Sequence, residues 1–131
     1  MITEDYVSFE TAKLLKEKGF NKDTYTMSMY DENGEAKDVL LLKAGEEPVL
    51  RPTLQMAMKW LREMHNIDIS VVPHPNKEDK TFGYEFVYWN GGEIMPYDEK
   101  RPTYHELFEK TWEKYEEACE AAIKYCLENL I

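Results

Sequence analysis

Three histidines, two cysteines and 26 carboxylates are the side chains of this 131-residue chain best suited to bind a metal or move a proton. The histidines His65, His74 and His105 are widely separated, and only the stretch Glu63-x-His65-x-x-Asp68 sets carboxylates near one of them. Zinc sites use tighter spacing such as H-x-H, H-x-x-x-H or H-E-x-x-H, and none occurs, so no metal is expected. Nucleophilic catalysis has little to work with. The serines are Ser8 at a helix start and Ser28 and Ser70 in strand-like runs, with no G-x-S-x-G elbow. Asn90-Gly91-Gly92-Glu93 is too short and too acidic to cradle a nucleotide and reads as a turn, so no cofactor is expected. Carboxylate acid–base chemistry needs two groups facing each other across a cleft, which spacing along a chain does not define.

Cys119 and Cys126 lie seven residues apart in what reads as one helix. That spacing separates them by about 10.5 Å along the axis, beyond the ~6.8 Å between Cα atoms that a disulfide tolerates. Two reduced, partly buried thiols are expected, as in a cytoplasmic protein. The net charge of −10 opposes the counterion release that drives nucleic-acid binding and is repelled by anionic lipid. Neither nucleic acid nor membrane is an expected partner; a basic or uncharged protein is compatible. The longest apolar run, Val39–Leu42, is far short of the ~20 residues of a membrane span. Met1-Ile2-Thr3-Glu4-Asp5 opens acidic where a signal peptide opens basic.

Any such chemistry has to be positioned by a small set of elements. Val7–Phe20 reads as a helix capped by Ser8, with Phe9, Ala12, Leu14 and Leu15 on its apolar side and Gly19 past its end. Residues 24–30 alternate as a strand, Asn33-Gly34 turns the chain, and Val39–Leu42 is the expected return strand. After a loop over Gly45–Pro48, Thr53 caps a second helix striped by Leu54, Ala57, Met58 and Leu61. Ile67, Ile69 and Val71 alternate as a third strand, which Pro73-His74-Pro75 is expected to end. Phe82–Trp89 forms a fourth, with Tyr84 and Phe86 assigned to the core. Thr103–Asn129 contains no Gly or Pro, opens with the capping box Thr103-x-x-Glu106, and predicts a helix of about seven turns whose glutamates face solvent.

The expected architecture is a single α+β domain over residues 1–131 in the order αββαββα, its mainly antiparallel sheet covered by helices. Arg51-Pro52-Thr53 recurs fifty residues later as Arg101-Pro102-Thr103, each copy opening an apolar-striped helix. Internal duplication and the general fitness of Pro-Thr as a helix start both explain it.

Two surfaces stand out for recognition. Trp89 and Tyr97 are aromatic residues expected at the rim, large and rigid enough for a binding contact. Ile123, Leu127, Leu130 and Ile131 end the last helix. A 27-residue helix would run about 40 Å, so this end either meets a second copy in a homodimer or docks on the first helix.

The stretches Pro52–Glu63 and Tyr115–Ile131, and also Val7–Phe20, resemble small proteins encoded by phages and mobile elements of gut Bacteroidales. The resemblance covers about half the chain. It implies a bacterial or phage-derived cytosolic protein and brings no activity or site residue with it. The sequence reading is therefore a non-enzymatic protein-interaction domain that binds another protein or itself. The alternative is a small enzyme or small-molecule-binding domain using carboxylates around the aromatic strand.

Overall fold

Two hydroxyl side chains start two of the helices. Ser8 Oγ accepts from the Thr11 amide at 3.2 Å and opens α1 (Phe9–Glu17); Thr53 Oγ1 accepts from the Met56 amide at 3.1 Å and opens α2 (Leu54–His65). Each satisfies an amide that the helix leaves without an internal partner. The computed structural model describes residues 1–21, 28–38, 49–75, 82–90 and 111–131. The remaining elements are β1 (Met29–Tyr30), β2 (Ala36–Lys37), β3 (Val49–Leu50), β4 (Ile67–Pro75), β5 (Phe82–Asn90) and α3 (Tyr115–Asn129). The fold is α+β with antiparallel sheets, one of three strands in the order β2-β1-β3 and one formed by β4 and β5.

Asp31 organises the first hairpin: its Oδ1 accepts from the amides of Asn33 and Glu35, and Gly34 takes φ +79°. A side chain that imitates a backbone turn lets the chain reverse at once. The return strand accordingly begins at Ala36. The expected strand at Val39–Leu42 lies outside the described residues, as do Tyr97, the Thr103–Glu106 capping box and the second Arg-Pro-Thr. Residues just ahead of α2 form β3 against β1, with Leu50 opposite Met29. This strand adds an element to the expected order, because its partner is distant in sequence.

Strand β4 continues through Pro73 to Pro75 instead of stopping there, and hydrogen-bond parity explains it. Tyr84 directs its N–H and C=O away from β4, toward Trp112, at 2.7 and 2.9 Å. Its cross-strand neighbour Pro73 is therefore in a non-hydrogen-bonded pair, and Pro75, two residues on, is in another. Proline lacks an N–H only on the outer edge, where the ladder does not use it.

The same Trp112 bridge corrects the last helix. Trp112 is extended against Tyr84 and Lys114 has φ −115°, ψ 144°, so α3 starts at Tyr115. Two cross-strand hydrogen bonds and a ring contact with Phe86 at 5.6 Å override the local helical pattern. Fifteen residues reach about 22 Å, which removes the overhang expected of a longer helix. Ala118, Cys119, Ala122, Ile123, Cys126 and Leu127 have no exposed surface. They meet α1, α2, β4 and β5. Phe86 and Tyr88 on β5 pack with tilted rings against Tyr125 at 6.0 and 5.6 Å, while Tyr84 meets Tyr115 edge-on.

A Cβ on Gly83 would stand 2.8 Å from Thr111 Cβ. Gly83→Ala is expected to lower stability in urea denaturation by about 1–3 kcal/mol. Adding Thr111→Gly should restore part of it; no recovery would show that the strain lies elsewhere.

Burial pushes the Cys119 thiol up to about 11 and the Cys126 thiol to about 12, from an ordinary 9.0. Gln55 draws the Tyr115 hydroxyl down, but burial with Cys119 and Glu116 beside it raises it overall. The native state thus holds these protons more tightly than the unfolded chain. The stability they contribute is complete below pH 9 and falls as pH rises from 9 through 11–12. Denaturation midpoints should follow that slope, and a thiol reagent at pH 8 should react only after unfolding. Rapid labelling of the native chain would contradict the buried placement.

Candidate functional site

The residues ahead of α1 do not trail into solvent. The Val7 amide donates to the Pro52 carbonyl at 3.0 Å and the Leu54 amide to that of Asp5 at 2.9 Å, so this segment runs antiparallel to the start of α2. Tyr30 Oη donates to the Val7 carbonyl, and the Ser8 amide donates to Glu120 Oε1 at 3.0 Å. The strap is thereby tied to β1, α2 and α3 together.

Arg51 is its latch. The guanidinium carbon lies 3.7 Å from the centre of the Tyr6 ring and 5.6 Å from that of Tyr30. Its backbone amide donates to the Ser28 carbonyl at 2.8 Å and its Nη1 to Ser28 Oγ at 3.3 Å. A planar, weakly hydrated cation over an aromatic face suits arginine better than lysine. Arg51 Nε is buried with no hydrogen-bond acceptor among the described residues.

Between this strap and α3 lies an open groove of about 850 Å³ with a mostly apolar lining. Leu54, Trp112 and Ala121 contribute apolar surface, Tyr6 and Tyr30 aromatic surface. Glu4 and Asp5 border it on the strap, and Glu116, Glu117 and Glu120 on α3, so five acidic residues and one arginine line it. Glu120 uses one oxygen on Ser8; its Oε2 is buried with no hydrogen-bond donor among the described residues. Glu116 and Glu117 are exposed in the first turn of α3, where negative charge is favoured by the helix dipole.

The residues singled out in the sequence fall elsewhere. Trp89, partly exposed, stands opposite Asp68 on the sheet face away from α3 and does not line the groove. Tyr97 lies outside the described residues. Ile123 and Leu127 are wholly buried in the core of the single chain, so they offer no free surface to a second copy. Leu130 packs against that core and Ile131 remains 36% exposed. This end of α3 docks on α1: Lys18 Nζ donates to the Ile131 main-chain oxygen and Lys124 Nζ to Glu10 Oε1, each at 3.0 Å.

Tyr6, Arg51 and Glu120 went unread as a set because they are far apart in sequence and each has an ordinary local role. The adjacency of Arg51 to the Pro-Thr helix start was the one available signal, and it shows only that the side chain sits beside a cap. Among the described residues no group of three or more His, Cys, Asp or Glu side chains is placed to hold a metal, and no helix is long and apolar enough to cross a membrane. Compared with known protein families, curated proteins and solved structures, the chain matches none.

Arg51→Met keeps the aliphatic stem and removes the cation. It is expected to cost about 0.5–2 kcal/mol and to speed hydrogen exchange at the Val7 and Leu54 amides. Unchanged exchange would mean that the backbone pairing holds the strap without the latch.

Proposed function

We propose that this chain is a non-enzymatic protein-interaction domain and that the groove between the strap and α3 is its contact surface. The observation that carries the reading is an open, mostly apolar groove bordered by aromatic rings and carboxylates. An open trough of this kind suits a segment of polypeptide, whereas small-molecule sites enclose most of their ligand. Aromatic residues give contact area at low entropic cost, and a polar rim sets orientation. The reading places the partner at the groove; the dimer contact expected at the end of α3 loses Ile123 and Leu127 to the core.

A cytoplasmic setting is supported by two buried, unpaired thiols. Origin in a phage or mobile element rests on the resemblance of Val7–Phe20, Pro52–Glu63 and Tyr115–Ile131 to such proteins. The carboxylate-enzyme alternative has less in its favour: Glu4 and Asp5 on the strap and the glutamates of α3 border an open groove, not an enclosed cleft that would hold two carboxyl groups on either side of a substrate.

The test is a selection of random displayed peptides on the immobilised protein, followed by mapping of their binding by amide and indole chemical shifts. Selected peptides should perturb Ser8, Ala121 and the Trp112 indole. Peptides that converge on another face, or a selection that enriches nothing, would remove the groove as the interaction surface.

A further inference from the structure

Within that interaction reading, on which this inference rests, we propose that the groove takes a basic segment of its partner and seats an arginine side chain against Trp112, with the guanidinium held by the carboxylates of α3. Three features converge on this chemistry. The lining is mostly apolar, and the partly exposed Ala121 and Trp112 give it surface on which the methylene stem of a long cationic side chain can lie. The rim is acidic, so the field at the groove favours a cation and repels phosphate and carboxylate ligands. Finally, Glu116 and Glu117 stand exposed in the first turn of α3 and line the groove, so a cation there meets carboxylates that solvent can reach.

The guanidinium fits better than an ammonium for two reasons. Its planar fork donates two hydrogen bonds to one exposed carboxylate, and its flat face stacks on indole. The same molecule already shows the preference, since Arg51 stacks on Tyr6 at 3.7 Å in the same groove. A partner segment need not be folded: alternating basic and small residues would let one arginine enter while its neighbours remain near Glu4 and Asp5 on the opposite border.

The probe is a capped peptide of alternating arginine and glycine, compared with versions in which lysine or the neutral isostere citrulline replaces arginine. Titration into the isotope-labelled chain at low and at physiological salt should show the arginine peptide moving the Trp112 indole and the Ser8 amide. The lysine peptide should bind more weakly and the citrulline peptide not at all. The double variant Glu116→Gln, Glu117→Gln, on exposed positions that leave the Glu120–Ser8 contact intact, should weaken the arginine peptide about tenfold, as removal of close charge partners does. Binding of citrulline as tight as arginine, binding indifferent to the double variant, shifts confined to other faces, or no binding would each overturn the proposal. Equal binding of lysine would overturn the choice of guanidinium. Displayed peptides that fill the groove without a basic residue would leave the interaction reading standing and sink this one alone; a selection that never reaches the groove would remove both.

Discussion

The structure depends on one buried helix face. In α3 the residues Ala118, Cys119, Ala122, Ile123, Cys126 and Leu127 lose all contact with solvent, and α1, α2 and the β4–β5 sheet pack on that helix. Small side chains at Ala118, Cys119 and Ala122 let neighbouring backbones come close, while Ile123 and Leu127 fill the space between layers. Cysteine behaves here as a small apolar residue, and the raised thiol values are the electrostatic expression of the same burial. An element surrounded in this way is ordered by tertiary packing more than by its own helix propensity.

Around that face the polar ties are peripheral, and each joins distant parts of the chain. Lys124 reaches Glu10, Lys18 reaches the main chain at Ile131, and Glu120 accepts from Ser8. The Lys124–Glu10 pair is solvent-exposed, so it adds little energy; it fixes which side of α1 faces α3. The strap is different in kind, because Arg51 combines ring stacking with hydrogen bonding at the junction of β1, β3 and the start of α2.

What could be read from the sequence was what is encoded locally. Ser8 and Thr53 act as the helix caps their types suggested, Gly34 turns a hairpin with φ +79°, and the apolar positions Leu54, Ala57, Met58 and Leu61 are buried as the 3.6-residue period required. Pairing of Ile67–Val71 with the aromatic strand also followed from alternation and short connections. Misreadings arose where a distant partner decided the outcome. Val49–Leu50 is a strand only because β1 lies beside it, and Pro73 stays in a strand only because Tyr84 turns its hydrogen bonds to the other side. The groove belongs to this second class: Tyr6, Arg51, Trp112 and Glu120 have ordinary local roles and acquire a joint one through tertiary placement.

The cross-strand pair of Tyr84 and Trp112 links fold to site. A helix running unbroken through Trp112 would put Glu116 and Glu117 in its interior, far from any helix end. Because Trp112 pairs with Tyr84, α3 begins at Tyr115 and both glutamates fall in its first turn, where the unpaired amides of the helix end favour their charge. The same pairing leaves the Trp112 side chain in contact with Phe86 and also at the groove. Close approach of the two segments is possible only because Gly83 has no Cβ to meet Thr111. One bridge, permitted by one glycine, thus sets where the last helix starts, where its carboxylates stand, and where the aromatic wall of the groove lies.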